Sequence, residues 1–515
     1  MMIKLFASAV YGVEAITITT EVDVLDGTKF YVVGLPDNAV KESQHRVESA
    51  IKNNYYRFPR IKVVVNLSPA DIRKSGSSFD LPIAIGILGA TEQVQTHNLD
   101  KYIMMGELSL DGAILPIKGS LPMAIQARKE GFEALFVPTE NAREAALVNN
   151  LKVYGVSHLK EMIDFLNGKE NLQPTEVDTR EEFFYSQTEF DIDFCEVKGQ
   201  MNIKRALEIA AAGGHNVILI GPPGAGKTML AKRLPSILPP LTLQEALETT
   251  KIHSVAGKLP ENATLVARRP FRSPHHTVSD VALVGGGGHP QPGEISLAHN
   301  GVLFLDELPE FKRTVLEVMR QPMEERRVTI SRAKMSIDYP ANFMLVASMN
   351  PCPCGYFNHP EKECSCPPGA VQKYLNKISG PLLDRIDLHV EVTPVSFSDL
   401  STIQSEHQEK SVHIRERVLN ARAIQLERYQ NNEGLYANAQ IGSKQLQEIC
   451  KLNSAGNQLL KTAMERLNLS ARAYDRILKV SRTIADLSGS PEIKTEHLAE
   501  AIQYRSLDRE NWGNT

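Results

Sequence analysis

The 515-residue sequence predicts a mixed α/β protein of three segments, of which the last is all-α. Short apolar or alternating runs typical of strands are interspersed with helical runs in residues 1–166 and again in residues 190–395. From residue 396 to residue 515 the pattern changes to helices with charged faces. Residues 167–189 are polar and acidic, which is typical of a linker.

Composition excludes several classes of protein. Hydrophobic residues make up 42% and charged residues 23% of the chain, which is ordinary for a globular protein. The net charge is -4, so any surface that binds nucleic acid must be local. No run reaches the roughly eighteen apolar residues of a membrane span, and the 6 cysteines are too few for a disulfide scaffold. We therefore expect a cytoplasmic protein without a membrane partner.

The first segment is predicted to be an α+β domain. The stretches TITTEVDV, KFYVVGL, RIKVVVNLSP and EALFVP have the alternation or the β-branched content of strands. The stretches DLPIAIGILGA and SLPMAIQARKEG are predicted to be helices that pack against those strands.

The second segment contains the strongest motif, GPPGAGKT, between the apolar strand VILI and the helical run MLAKRLPSI. This order predicts a P-loop, in which backbone N–H groups and a helix N-terminus surround phosphate oxygens. Lys227 would reach the β and γ phosphates of ATP, and Thr228 would bind Mg²⁺. The predicted ATP-binding residues are Gly221, Pro222, Pro223, Gly224, Ala225, Gly226, Lys227 and Thr228.

A P-loop requires a second strand that ends in a carboxylate for the metal, and GVLFLDELPEF supplies it. Asp306 would bind Mg²⁺, and Glu307 would polarise the attacking water. The next strand, FMLVASMN, ends in Asn350, which would orient that water beside the γ-phosphate. A strand-end Asn is by itself usually a turn residue, so this assignment depends on the P-loop upstream.

Two arginines complete the predicted catalytic set. Arg385, in GPLLDRIDLHVEV, is at a position where an arginine is most often an ion-pair partner. In an ATPase it is also a credible arginine finger that acts on the γ-phosphate of a neighbouring subunit. Arg472, at the start of the helical run ARAYDRILKV, could fold back over the nucleotide.

These motifs together resemble the magnesium-chelatase-like branch of the AAA+ ATPases, and within it the ComM/YifB family. The resemblance extends over nearly the whole chain, with RPFRSPHHTVSDVALVGGG and SMNPCPCGY as further shared stretches. It implies an AAA+ core with a parallel sheet, a C-terminal helical lid and a ring of subunits, expected to be a hexamer. In that ring Arg385 would act in trans and Arg472 in cis. The resemblance also implies a role in DNA branch migration during uptake and recombination.

The N-terminal segment resembles the proteolytic domain of Lon-type proteases, which has a ribosomal S5-like fold. That domain uses a Ser/Lys dyad, and Ser77 and Ser78 lie near the place of the nucleophile. Leu121 and Met123 occupy the segment where the lysine is expected, and Lys118 comes too early. We therefore expect a non-proteolytic scaffold.

Two basic stretches of the second segment are candidates for DNA contact without sequence readout. Residues 266–276 contain Arg268, Arg269 and Arg272 and no acidic residue. The stretch RRVTISRAKMSIDYP alternates like a hairpin, with Arg332 and Lys334 near its tip. The alternative for both is a solvated charged surface.

Four of the six cysteines follow Asn350 directly, as C-x-C, nine residues, C-x-C. Two tight turns with four thiolates can form a tetrahedral Zn²⁺ site. Redox-active pairs and reduced thiols without a metal are the alternatives, and zinc is favoured. The candidate zinc ligands are Cys352, Cys354, Cys364 and Cys366, with His359 as a substitute.

The sequence therefore predicts a cytoplasmic, ring-forming ATP hydrolase that uses ATP and Mg²⁺ and moves along DNA. Three alternatives remain open. A chelatase-type motor would remodel a protein partner, an ATP-dependent protease would need the missing lysine, and an assembly scaffold would bind ATP without hydrolysing it.

Overall fold

The computed structural model describes residues 2–180, 183, 190, 192–260, 264–288, 290–332, 335–359, 361–394, 409–432, 434–467, 469–505 and 507. It has a mixed α/β architecture, with two main sheets and a helical C-terminal region, as the sequence predicts. Within these residues no helix has both the length and the apolar character needed to cross a bilayer.

The N-terminal domain is a seven-stranded mixed sheet in the order β3-β4-β2-β1-β5-β8-β9. Helix α3 is the predicted DLPIAIGILGA helix, and all eleven of its residues are buried because it packs against β1 and β2. The strands are β1 Ile3–Tyr11, β2 Glu14–Leu25, β3 Phe30–Val33, β4 Lys62–Ser68, β5 Tyr102–Met104, β6 Glu107–Leu108, β7 Ile114–Leu115, β8 Ala134–Pro138 and β9 Lys152–Val156. The helices are α1 Asn38–Lys41, α2 Ser43–Asn53, α3 Asp80–Ala90, α4 Ser120–Lys129, α5 Thr139–Ala145 and α6 Leu159–Leu166.

The described residues of the predicted linker pack on this domain. The N–H of Thr175 donates to the Val153 carbonyl at 2.8 Å, and the Thr179 hydroxyl donates to the Leu147 carbonyl. Leu172 and Val177 pack against the N-terminal core. Residues 181, 182 and 184–189 lie outside the described residues.

The second domain is built on a five-stranded parallel sheet in the order β11-β14-β17-β10-β18. Its central strands are buried at every residue, as expected for a parallel sheet covered on both faces. The strands of this domain are β10 Val217–Ile220, β11 Phe271–Arg272, β12 Gly285–Gly286, β13 Gln291–Pro292, β14 Val302–Leu305, β15 Arg327–Arg332, β16 Met335–Pro340, β17 Met344–Met349 and β18 Leu388–Glu391. The helices are α7 Met201–Gly213, α8 Lys227–Arg233, α9 Leu243–Ala256, α10 Asp280–Val284, α11 Glu294–Leu297, α12 Arg313–Val318, α13 Arg320–Glu325, α14 Ala370–Leu375 and α15 Gly380–Leu383.

The predicted basic hairpin is formed by β15 and β16, which pair antiparallel from Arg327 opposite Pro340 to Arg332 opposite Met335. It touches the N-terminal domain, where the Tyr11 hydroxyl donates to the Ser336 carbonyl at 3.3 Å. Lys334 lies outside the described residues, and the Arg332 side chain is not described.

The C-terminal region is helical and packs on the second domain through α7. Apolar residues of α16 and α19 share one buried cluster with those of α7, β10 and β18. This cluster joins the helical region to β10, which leads into the P-loop, and to its neighbour β18. The helices are α16 Ser411–Tyr429, α17 Ser443–Ile449, α18 Ser454–Leu467, α19 Ala471–Leu487 and α20 Thr495–Gln503.

Candidate ATP-hydrolysis site

The predicted nucleotide residues meet at one edge of the parallel sheet. The P-loop follows the carboxyl end of β10, Asp306 follows β14, and Asn350 follows β17. These three strands are parallel neighbours, so the residues that follow them lie side by side. The strand–loop–helix order that predicts the motif is therefore also what assembles the site.

Lys227 is the first residue of α8, and its ammonium group is almost fully enclosed. It donates to the carbonyls of Gly221 and Pro222 at 2.7 and 2.9 Å and to Asn350 Oδ1 at 3.1 Å. Burial lowers the pKa of Lys227, while Asp306 and Glu307 act in the opposite direction. A phosphate in the loop would replace the two carbonyl acceptors with a charged partner.

Thr228 and Asp306 form a site that fits Mg²⁺. The Thr228 hydroxyl donates to Asp306 Oδ2 at 2.8 Å. Adjacent ligands of an octahedral Mg²⁺ ion with bonds of 2.0–2.1 Å are about 2.9 Å apart, so both oxygens could bind one ion with little movement. Oxygen ligands are also the type that Mg²⁺ prefers.

Ser348 is a residue of this site that the sequence analysis missed. Its hydroxyl donates to Asp306 Oδ1 and accepts the N–H of Glu307 at 3.3 Å. Ser348 lies in β17 and Asn350 directly follows that strand, two positions further on, so the alternation of the strand places both on the same face. That spacing was the available signal for Ser348.

Glu307 adopts the left-handed backbone conformation, with φ 55°. Glu307 lines an open cavity of about 400 Å³ that is also lined by Asn350, Lys373 and Tyr374. On its other side, Glu307 Oε2 lies 3.6 Å from His276 Nδ1. A water in the cavity would have the Glu307 carboxylate and the Asn350 amide as neighbours.

The two predicted arginines lie at the opposite edge of the sheet. The Arg385 carbonyl accepts from the Asn216 side chain at 3.0 Å, and Asn216 precedes β10. Arg472 pairs with Asp384 at 2.9 Å. The four residues of β10 separate this edge from the P-loop, and their length along the strand is about 13 Å. In this structure the Arg472 side chain pairs with Asp384 and does not lie over the P-loop of its own chain, and its cis role stays a prediction.

The four predicted cysteine ligands come together. Their sulfur atoms all lie within 4.8 Å of one another, with Cys352 and Cys364 at 3.8 Å and Cys354 and Cys364 at 3.5 Å. Four thiolates at 2.3 Å from one Zn²⁺ ion would be about 3.8 Å apart, so the cluster fits this metal. Burial raises the pKa of Cys352 to about 12. Burial also opposes ionisation of Cys354, but hydrogen bonds from the Tyr356 backbone and the Cys352 thiol outweigh it and lower that pKa to about 6.

The cysteine loop also packs on the P-loop. Gly355 has φ +86°, and a Cβ atom there would lie 2.5 Å from Pro223 Cδ. Asn350, which bonds to Lys227, is only two residues before Cys352. The loop therefore contacts the nucleotide site at two points.

Comparisons with known proteins agree with this architecture. Family models for the ChlI subunit of magnesium chelatase match residues 193–400, residues 20–141 and, for its C-terminal part, residues 408–505. Competence protein ComM of Haemophilus influenzae is 45% identical over 506 residues, which cover 98% of this chain and 97% of that protein. The chain belongs to the ComM/YifB family. YifB of Escherichia coli is 44% identical over 97% of this chain and 96% of its own length.

In the N-terminal domain of this ComM/YifB-family chain, the segment in which the lysine of a Ser/Lys dyad would be expected is buried. Leu121 and Met123 lie in α4 and are buried, and Lys118 packs against Gly257. Ser77 donates to Glu107, and the buried Lys74 donates to the Pro69 carbonyl rather than to a serine. Lon protease 2 of Bacillus subtilis is 31% identical over 157 residues, 28% of this chain and 27% of that protein.

Two residues predicted to contact DNA in this ComM/YifB-family chain have internal partners instead. Arg269 donates to the carbonyls of Pro239 and Asn300 at 2.6 and 2.7 Å and is mostly buried. Arg272 forms a bidentate salt bridge with Glu294, in which Nε and Nη2 donate to the two carboxylate oxygens at 2.6 and 2.7 Å. A guanidinium held in this way has few donors left for a phosphate. Arg268 is exposed and lies over the Phe190 ring.

Proposed function

We propose that this ComM/YifB-family protein is a cytoplasmic, ring-forming, Mg²⁺-dependent ATPase that moves along DNA, in branch migration during uptake or recombination. The proposal rests first on the contacts that join Lys227 to Asn350 and Thr228 to Asp306 at one sheet edge. The name of its relative ComM, a competence protein, supports the DNA pathway. The hairpin of β15 and β16, with Arg332 and Lys334 in its sequence, is the proposed DNA contact.

In the proposed mechanism, water attacks the γ-phosphate in line with the leaving β-phosphate oxygen. Glu307 accepts a hydrogen bond from this water and polarises it, and the Asn350 amide fixes its orientation. Lys227 stabilises the charge that grows on the phosphate oxygens. Thr228 and Asp306 would hold Mg²⁺, which would supply further stabilisation of the negative charge on the phosphates.

Arg385 and Arg472 would act on a neighbouring subunit. Both lie at the sheet edge opposite the P-loop, and both are close to Asp384, which pairs with Arg472. A ring that stacks this edge of one copy on the P-loop edge of the next would bring both arginines to one nucleotide. The expected assembly is a hexamer, by resemblance to related rings.

The cysteine cluster is proposed to hold one Zn²⁺ ion through Cys352, Cys354, Cys364 and Cys366. The sulfur separations and the small apolar content of the loop support this assignment. The ion would stiffen the loop that leaves the strand of Asn350.

The decisive experiment is steady-state ATPase activity with no DNA, single-stranded DNA, duplex DNA and four-way junctions. Lys227→Ala is the blank, and Lys232→Ala, an exposed lysine of the same helix, is the matched control. We expect DNA to stimulate turnover, most strongly with junctions, and Lys227→Ala alone to abolish it. Turnover that no DNA changes would favour a chelatase-type motor on a protein partner. Intact turnover in Lys227→Ala would refute the P-loop assignment.

A further inference from the structure

The Arg385 side chain is withdrawn from the surface in this structure. Only 9% of it is exposed, and its Nη2 lies 2.5 Å from Glu324 Oε1. Its Nη1 donates to the Pro381 carbonyl at 2.5 Å, and its Nε is buried without a hydrogen-bond partner among the described residues. In this conformation the guanidinium offers almost no surface to a neighbouring subunit.

Glu324 also cancels the charge that Arg385 would bring to a phosphate. A carboxylate at this distance is the strongest type of partner for a guanidinium. The Glu324 side chain itself is 56% exposed, so it can move into solvent at small cost. Without Glu324, the buried Arg385 charge would keep only its hydrogen bond to the Pro381 carbonyl, and a buried charge without an opposite charge beside it is unfavourable. Loss of the Glu324 contact would therefore drive Arg385 outward.

Glu324 lies in the helix that leads directly into the basic hairpin. It lies on α13, which runs through Arg326 directly into β15. The Arg326 N–H donates to the Pro322 carbonyl at 2.9 Å, and the Arg326 carbonyl accepts from Ala341 at the base of the hairpin at 2.8 Å. A displacement of the hairpin is thus transmitted to Glu324.

We propose that Glu324 is a positioning residue that holds Arg385 in a withdrawn state and releases it when the hairpin is displaced by bound DNA. The inference rests on the proposed function, in which Arg385 acts on the nucleotide of a neighbouring subunit. The proposal adds a direct physical link, within one chain, between the hairpin and the arginine finger Arg385. No residue of the Lys227–Asn350 side of the site takes part in this link.

The test compares Glu324→Gln with Glu325→Gln at a protein concentration at which the wild type forms rings. Glu325 is the next residue of α13 and pairs with Gln321 and Arg327 instead. Without DNA, we expect Glu324→Gln to raise kcat about two- to fivefold, the range in which one partly exposed ion pair shifts an equilibrium. KM for ATP and the melting temperature should stay unchanged, and DNA should stimulate this variant less than the wild type. Glu325→Gln should behave like the wild type.

A loss of supporting contacts would lower activity, so a rise in kcat separates release of the finger from general damage. Unchanged or reduced basal kcat in Glu324→Gln would overturn the proposal. Arg385→Ala combined with Glu324→Gln should be as inactive as Arg385→Ala alone, and a rise that persists in the double variant would also overturn it. Absence of turnover in the wild type would instead refute the proposed ATPase function itself.

Discussion

The contact between the cysteine loop and the P-loop can be disturbed by one methyl group, in Gly355→Ala. A Cβ atom at Gly355 would lie 2.5 Å from Pro223 Cδ, whereas ordinary contacts begin at 3.4 Å. The overlap of 3.4 − 2.5 = 0.9 Å falls on a proline ring, which cannot rotate away. The P-loop, the cysteine loop or both must therefore move by nearly 1 Å.

Gly355→Ala also carries a backbone cost, which must be separated from the contact. The φ of +86° is in the left-handed region, where a Cβ costs about 1–2 kcal/mol. Gly369, at the far end of the same loop, has φ +78°, and no atom of the described residues lies within 4 Å of the position that a Cβ would occupy there. Gly369→Ala therefore has the same strain without the contact and is the matched control.

We expect Gly355→Ala to weaken ATP binding at least tenfold relative to Gly369→Ala, which corresponds to about 1.4 kcal/mol. Displacements of about 1 Å in a positioned site can have larger effects than this. The measurement is equilibrium titration with a fluorescent ATP analogue, together with thermal unfolding to confirm the fold. Pro223→Ala removes the ring atoms, so the double variant Gly355→Ala/Pro223→Ala should regain the affinity of Pro223→Ala. Equal losses in Gly355→Ala and Gly369→Ala, or no recovery in the double variant, would refute the mechanical link.

Two further predictions concern the metal and the helical region. Cys364→Ser should lose the one bound zinc per chain in elemental analysis, whereas Cys195→Ser, outside the cluster, should keep it; equal zinc content in both would remove the assignment. Burial lowers the pKa of Lys479 to about 8 in the folded protein, whereas the pKa of a lysine in the unfolded chain is about 10.4. Between these two pH values the unfolded chain binds more protons than the folded protein, so the free energy of unfolding rises with pH. Lys479→Met should therefore flatten the rise in melting temperature from pH 7 to pH 9.5, and an identical slope in the wild type and the variant would contradict this.

The sequence predicted the parts of the site that depend on residues close together in the chain. The P-loop, Asp306 and Asn350 each follow a short apolar run that favours a buried strand, and parallel strands bring their carboxyl ends to one edge. The cysteine cluster was predictable for the same reason, since all four ligands lie within fifteen residues.

The sequence could not predict partners that are far apart in the chain. Arg269 and Arg272 look like a free basic patch until Asn300 and Glu294 are brought beside them by the fold. Composition shows how many charges a stretch holds, but not which of them the tertiary structure neutralises. The Arg385–Glu324 pair could not be predicted for the same reason, because its members are 61 positions apart in the chain and three strands lie between them.

The difference between the two edge arginines has a consequence for the order of events in a ring. Arg472 is 62% exposed and its pair with Asp384 is of the surface type, worth about 0–1 kcal/mol, so it can turn to a neighbouring phosphate at little cost. Arg385 is buried and has to break both the Glu324 and the Pro381 contacts first. A neighbour that binds ATP would therefore engage Arg472 before Arg385. Nucleotide binding and hydrolysis would then depend on different arginines of the same edge, and only the second would depend on the hairpin.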